Sequence, residues 1–381
     1  MRIAHLCLSN FYIDGYNYQE NTLPRQNRCD GHEVMIVAST ETYNRDRRLS
    51  YTVPCRYLNE DGIPVVRLPY RRLFPHAVAK KLRMHPGVGA LLEQFRPDVM
   101  LFHSLCGWEL LTAAAYVERH PKVVLYADSH EDAYNSGRTF LSRNVLHRGY
   151  YRFVLRRALP RIRKVLCVSL ETMDFVTECY GLVPSQLEFY PLGGEVSSDE
   201  EYAEKRRRIR GELGLREDQV VLVQAGKMDG KKKLLETLQA FRANEFRNLQ
   251  LLIIGSLDGE IRSTVETLLP SVPNARYVGW KDARALVDHL CAADVYLQPG
   301  SQSATMQNAL CARCPVILDD VPSHRPFVDG NGWLLNASQS LEAVLSAIDG
   351  NPAQLEPMSR RSLAIALDLL DYRKLAARLY R

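Results

Sequence analysis

Short apolar runs alternate with amphipathic helical stretches along almost the whole chain, and this alternation constrains the fold more than any single motif. The runs are Arg2–Leu8, Glu33–Ala38, Pro64–Leu68, Asp98–His103, Val123–Tyr126, Lys164–Val168 and Leu187–Tyr190. After a break come Val220–Val223, Leu249–Ile254, Ala275–Val278, Val295–Leu297 and Val316–Leu318. Helical patterns such as Trp108–Arg119, Ser142–Arg157 and Ala283–Ala292 lie between most of them. Strands that alternate with helices are predicted to be parallel and covered on both faces. The break, PLGGEVSSD at 191–199, reads as a linker, and the charged stretch after it as a surface helix capped by Ser197 or Ser198. Two α/β halves with a cleft between them are the expectation, with ligands at the carboxyl ends of the strands.

Composition narrows the partners. The chain has 381 residues, 46% apolar and 24% charged, enough for two domains with full cores. A net charge of +5 is too weak and dispersed to imply nucleic acid, and fits phosphorylated substrates or an anionic membrane. The basic cluster Lys205–Arg210 follows Glu200, Glu201 and Glu204 at helix spacing, so intrahelical pairing is expected. No apolar run approaches the roughly 20 residues that span a bilayer, and MRIAHLCLSNFY reads as a first strand, not a signal peptide. Nine scattered cysteines, most in apolar segments, suggest a reduced, cytoplasmic setting. Cys311 and Cys314 read as a helix end before Pro315, with no second pair to complete a zinc set.

Two loops carry the chemistry of the second half. In 292–318, Ser301, Gln302 and Ser303 stand where a helix begins, so free N–H groups and hydroxyls suit a phosphate; an ordinary Ser cap is the alternative. Upstream, the strand Val220–Val223 leads through Gly226, Lys227, Lys231, Lys232 and Lys233 into another helix start. Lysines there oppose the helix dipole at roughly 0.3–1 kcal/mol each, a cost that a bound polyanion offsets. No G-x-G-x-x-G, no G-x-x-x-x-G-K-[ST] and no D-x-D is present, so lysines and backbone dipoles must neutralise the phosphate without a metal.

Taken in order, these segments resemble the GT-B-fold retaining glycosyltransferases of family 4 (glycosyl transferases group 1), which includes sucrose-phosphate synthases and bacterial polysaccharide transferases. Gly226, Lys227 and Lys232 match its G-[RK]-x-x-x-x-K, which implies that both lysines hold the donor diphosphate, with Ser301, Gln302 and Ser303 at the neighbouring helix start. Cys314–Ile317 matches its G-x-P-V-[IV], and Val278-Gly279-Trp280 its segment beside the donor base. Gly31–Val34 matches G-H-E-V, and Leu192–Glu195 the interdomain N/L-G-x-[DE]. The resemblance implies two Rossmann-like doubly wound domains facing a central cleft, 1–195 on the acceptor side and 196–365 for the nucleotide-sugar. A helix in 366–381 would cross back. The family's Glu, seven residues, Glu signature is absent: its second Glu falls at Asn308 or Gln307, whose amides would meet the ribose.

In the first half, the loop 126–138 crowds Asp128, His130, Glu131 and Asp132 after a strand. The resemblance implies that His130 contacts the donor sugar; a Mg or Mn site on Asp128, His130 and Asp132 is the rival, and a helix cap the third possibility. Asn135 and Arg138 are placed on the acceptor side, as are Gly15, Tyr16 and Tyr18 after the first strand. The basic amphipathic stretch Tyr70–Arg83 could rest on the inner membrane face, where a lipid-linked acceptor would lie, or be a solvated helix. The implied activity is retaining, metal-independent transfer from a nucleotide-sugar, the only co-substrate, to a saccharide or lipid-linked acceptor in polysaccharide or glycan synthesis. A GT-B sugar-nucleotide 2-epimerase and a degenerate binding subunit are the alternatives.

Overall fold

The computed structural model describes residues 1–44, 48–133, 135–300 and 303–380. The chain divides into two compact units, Met1–Leu192 with Tyr372–Arg381, and Gly193–Asp371. The division falls three residues ahead of the expected 195, and residues 366–371 stay with the second unit. The reason is local: Gly194 N–H bonds to Leu370 O and Gly194 bridges to Asp371, which ties the 193–195 segment to the second unit.

The first unit holds β1 (Arg2–Cys7), β2 (Glu33–Ser39), β3 (Glu41–Tyr43), β4 (Leu49–Tyr51), β5 (Cys55–Leu58), β6 (Pro64–Leu68), β7 (Val99–Phe102), β8 (Val124–Ser129), β9 (Ile162–Cys167) and β10 (Leu187–Phe189). Eight of these form one sheet in the order β10-β9-β8-β7-β1-β2-β6-β5, parallel except for the edge strand β5. Its switch point lies between β1 and β7, where the order reverses, so the carboxyl ends of these strands open a crevice. Leu6, Val37, Phe102 and Leu125 are buried in the core that covers one face.

The second unit holds β11 (Val220–Met228), β12 (Leu249–Leu257), β13 (Ala275–Gly279), β14 (Val295–Gln298), β15 (Val316–Asp319) and β16 (Gly332–Leu335). All six are parallel, in the order β13-β12-β11-β14-β15-β16, with the switch point between β11 and β14. Leu222, Leu251, Ile253, Ile317 and Leu345 fill its core. Strand β11 runs further than its apolar residues suggest: Gly226, Lys227 and Met228 pair with Gly255, Ser256 and Leu257. The two glycines permit this, because a Cβ on Gly255 would lie 1.8 Å from Gly226 O. Gly226 and Lys227 are therefore strand residues, and the loop proper begins at Asp229.

Of the other expectations, the serine-capped surface helix is present, and the rest are corrected. The helix Asp199–Glu212 is capped by Ser198, whose Oγ accepts Glu201 N–H while Glu201 accepts Ser198 N–H. Its arginines do not pair mainly along the helix. Arg206 and Arg210 reach Asp294, and Arg208 bridges to Asp288 as well as Glu212. Arg210 also donates to three backbone carbonyls, of Ala292, Arg216 and Gln219, so this basic cluster staples the unit together. The expected helix 142–157 is π-helical over Leu141–Tyr151 and α-helical only from Arg152. Among the described residues no helix is long and apolar enough to cross a membrane.

Candidate active site

At the switch point of the second unit the two lysine- and serine-bearing loops meet. Asp229 Oδ1 accepts Lys231 N–H, closing a tight turn over Gly230–Lys232, and Lys233 takes a left-handed φ of 52° before the helix Leu234–Ala243. Gln224, buried in β11, donates from Nε2 to Lys232 O at 2.7 Å. From the other side Gly300, at φ +120°, packs so tightly that a Cβ would stand 2.0 Å from Lys231 O. Strand order thus delivers what sequence order separates by some seventy residues.

The four lysines are not equivalent. Lys227 Nζ pairs with Asp258 Oδ2 at 3.2 Å, and Lys233 Nζ with Asp319 Oδ2 at 2.6 Å. Lys231 is exposed. Lys232 is the desolvated one: burial pulls its ammonium down to about 8, against the attraction of Asp229. A diphosphate here would restore the charge that burial penalises.

Ser303 caps the helix Ala304–Cys311, accepting Met306 N–H at 3.3 Å and donating to Gln298 Oε1 at 2.7 Å. Its hydroxyl is therefore spent on the helix rather than open to a phosphate, which corrects the expectation for this side chain. Ser301 and Gln302 lie outside the described residues. Gln307 is also corrected. It is fully buried, and its Oε1 accepts Gly193 N–H at 2.8 Å, so its amide faces the linker and not a ribose. Asn308 is half-buried beneath Gly194, where a Cβ would meet its Oδ1 at 2.8 Å. Trp280 follows β13 with its residue surface 52% exposed.

In the first unit a buried polar chain lies under His130. His130 Nε2 is 3.7 Å from Asp128 Oδ1, and Asp128 Oδ2 is 2.6 Å from His103 Nδ1. His103 Nε2 contacts His5 Nδ1 at 3.1 Å, and His5 Nε2 contacts Asn27 Oδ1 at 2.8 Å. Burial alone would lower His130, but the Asp128 carboxylate raises it to about 9, so it is an imidazolium at neutral pH. Burial would raise Asp128, yet His103 and His130 hold it well below the usual carboxylate range. Burial lowers His5 to about 3, which keeps it neutral.

These pairings consume the side chains that a metal would need. Asp128 Oδ1 accepts Ser104 N–H, and Glu131 accepts from the hydroxyls of Ser104 and Ser129 at 2.5 and 2.6 Å. Among the described residues no group of three or more His, Cys, Asp or Glu has the geometry of a metal site. Asn135 donates to His130 O and exchanges bonds with Asp132, so it braces the loop; Arg138 is exposed. After β1, Gly15 N–H bonds to Glu60, and Tyr16 stacks obliquely on Tyr18 and Tyr43 at 5.1 and 5.7 Å. Sequence reasoning passed over Gln224, Gln298 and Glu20, whose roles are set by strand order; Glu20 is buried, bonded to Asn10 and charged toward His130.

Two such parallel-sheet units make up the GT-B fold. Residues 21–193 match the glycosyl transferase 4-like domain, and 205–350 match the glycosyl transferases group 1 domain. The chain belongs to this glycosyltransferase family. It is similar to an alpha-monoglucosyldiacylglycerol synthase of Acholeplasma laidlawii, 23% identical over 366 residues, with 87% of this chain and 84% of that protein covered. Among solved structures, Anabaena HepE in complex with UDP superposes with a TM-score of 0.67 at 14% identity, covering 99% and 98% of the two chains. Sucrose-phosphate synthase from Thermosynechococcus elongatus gives 0.68 at 14% identity, covering 99% and 97%.

Proposed function

We propose that this glycosyltransferase moves a sugar from a nucleotide-sugar to a saccharide or lipid-linked acceptor, with retention and without a metal or other cofactor. The observation that carries the reading is the desolvated Lys232, set on a turn that Gly300 and Gln224 grip from both sides. A departing diphosphate gains Lys232, Lys227 and the helix start at Leu234 as it takes up charge, and fixed donors in a dry site stabilise such charge effectively. Ser301 and Gln302 are proposed to complete this cradle, Trp280 to stack on the base, and Asn308 to meet the ribose. His130, as an imidazolium, donates to a sugar hydroxyl. Asp128 and Glu131 are both engaged in hydrogen bonds within the cluster, which disfavours either as a nucleophile. That favours front-side attack, in which a diphosphate oxygen takes the acceptor proton. Tyr16 and Tyr18 offer ring faces to the acceptor.

The protein is proposed to act in the cytoplasm. Leu73, Phe74 and Val78, exposed within the basic stretch 71–81, give it a face for an anionic inner leaflet. The Acholeplasma relative is named for a glucosylated diacylglycerol, and HepE was solved with UDP, so UDP-sugars and lipid acceptors are the first to try. The test is a thermal-shift screen of nucleotide-sugars, then transfer assays with the anomer read by NMR and with EDTA added. A retained anomer formed in EDTA is expected. An inverted product, an epimerised donor, loss of turnover in EDTA, or no turnover with any donor would each overturn the reading.

A further inference from the structure

In the first unit, the half-buried Arg83 makes no direct ion pair among the described residues, and the Glu41 carboxylate is the anion within its electrostatic range. Arg83 ends the helix His76–Leu82 at a left-handed φ of 51°, and its Nη1 is buried with no hydrogen bond among the described residues. Two other buried donors, the Ser9 Oγ and the Tyr70 Oη, also lack a direct hydrogen bond among the described residues, with Glu41 the acceptor within longer reach of Tyr70. Ser9 and Arg83 flank Gly107, where a Cβ would stand 2.2 Å from Ser9 Oγ and 3.2 Å from Arg83 Cβ. Tyr70 and Glu41 lie within electrostatic range of Arg83, as do the Tyr151 phenol and the Cys106 thiol.

Among the described residues Arg83 Nη1, Ser9 Oγ and Tyr70 Oη have no direct hydrogen bond, while Glu41 faces the Tyr70 phenol and Tyr151 the Arg83 guanidinium at longer reach. Tyr151 gives its hydroxyl to Lys81 O, and Arg67 holds the Glu41 backbone and the Asp14 carboxylate. Leaving a buried donor unpaired costs about 1–3 kcal/mol, and more when it is charged. One cation and two such donors beside it have a common remedy, because Arg, Tyr and Ser can all donate to an oxyanion. All of them follow strands or helices at the carboxyl-terminal edge of the sheet: Ser9 after β1, Glu41 in β3 after β2, and Tyr70 after β6. That is the edge where ligands of such sheets bind.

We propose that Arg83, with Ser9 and Tyr70, binds an anionic oxygen group, a phosphate or carboxylate, carried by the acceptor. Glu41 stands beside the anion as an acceptor for sugar or polyol hydroxyls. The enzyme's second substrate is then an acidic one. The ligand counts as an acceptor only if the protein is the transferase proposed above, whereas the anion site stands or falls by itself.

The test uses the full chain with Lys227 and Lys232 both changed to Ala, which removes the donor lysines, and inorganic phosphate as the probe at constant ionic strength. Phosphate stabilises proteins generally by exclusion, but that effect is shared by every variant, so only differences count. A saturable thermal shift is expected, and Arg83→Gln on the same background should abolish it. Identical phosphate curves with and without Arg83→Gln would overturn the site. If Arg83→Gln does not fold, Tyr70→Phe and Ser9→Ala each remove one donor; severalfold weaker phosphate binding is expected, and no change in either overturns the assignment. Co-sedimentation with phosphatidylglycerol against phosphatidylcholine vesicles separates the sources. Loss of phosphatidylglycerol binding in Arg83→Gln marks a lipid-borne phosphate, and unchanged binding marks a soluble acidic acceptor. A protein that binds phosphate through Arg83 yet no nucleotide-sugar would end the transferase reading and keep the site.

Discussion

Lys232 is partly stripped of solvent before any ligand arrives, so the donor role proposed for it would make donor binding a proton-linked event. Its ammonium sits near 8 in the free protein, and a bound diphosphate would raise it. A ligand that raises a basic group's pKa binds with proton uptake between the free and bound values. Donor affinity is therefore expected to hold below about pH 8 and to fall by up to tenfold per pH unit above it. Calorimetry in two buffers of different ionisation enthalpy should show uptake approaching about one proton in that window. Lys232→Ala should show almost none, and an equal uptake in the variant would clear Lys232 of the role. Asn308 and Gln307 part company at this scale too. Sequence alone left them interchangeable, because helix phase near a loop of unknown length is ambiguous by one residue. The buried Gln307 amide holds Gly193, so Gln307→Glu should cost stability by forcing a charge inside. Asn308→Glu, at the half-buried position, should instead tighten a ribonucleotide donor severalfold. Titration of both variants decides this, and weaker donor binding by Asn308→Glu would remove Asn308 from the ribose.

Asp128 and His130 offer a stability signature of their own. His130 is raised in the folded state from 6.5 to about 9, so its contribution is complete below about pH 6.5 and lost as pH rises through about 9. The depressed Asp128 works the other way: its contribution is present above the ordinary carboxylate range and lost in acid. Asp128→Asn should erase the alkaline slope, because burial then dominates His130. Urea midpoints measured from pH 6 to about 9.5 report it, the slope following from the linkage relation. A slope that survives the substitution would show that His130 draws its charge from elsewhere.

At the scale of elements, what matters is which loops the strand order brings together. The alternation of apolar runs with helices made both parallel sheets legible, and the breaks after Val223 and Leu297 marked the two loops proposed to hold the donor. Four strands were not legible. β3, β4 and β5 are three- or four-residue edge pieces rich in polar residues, and β16 hides behind Gly330 and Gly332. The extension of β11 to Met228 was hidden for another reason: glycine and lysine are poor strand formers, and only the close Gly226–Gly255 approach makes them pair. Gly300 tests the union of the loops. Alanine there meets Lys231 O and strains a φ of +120°, so Gly300→Ala should weaken the donor at least about tenfold, equivalent to roughly 1.4 kcal/mol. Gly230→Ala is the control, since a Cβ at that glycine meets nothing within 4 Å. Equal donor affinity in the two variants would mean that the loops act independently.

The chain returns residues 372–380 to the unit in which it began, and this closure has a measurable energy. Leu375 and Leu379 are buried with Ile3, Leu23, Leu101 and Leu166. Tyr190 donates its hydroxyl to Leu375 O at 2.6 Å, Arg378 pairs with Glu188, and Tyr380 bonds to Asp30 while its ring meets His32 edge-on at 4.3 Å. Two buried leucines are worth about 1.5–3 kcal/mol each, and the Tyr190 bond about 1 kcal/mol more. The sum, on the order of 5 kcal/mol, approaches the net stability of an ordinary domain. The second unit has a core of its own. A chain ending at Asp371 is therefore expected to lose protection from hydrogen exchange in β1, β7 and β9 while β11, β12 and β14 keep theirs. Tyr190→Phe should lower the first unit's stability by about 1 kcal/mol without touching the second. If truncation instead lowers protection equally in both sheets, the two units unfold together, and the terminal segment stabilises the protein as one cooperative body.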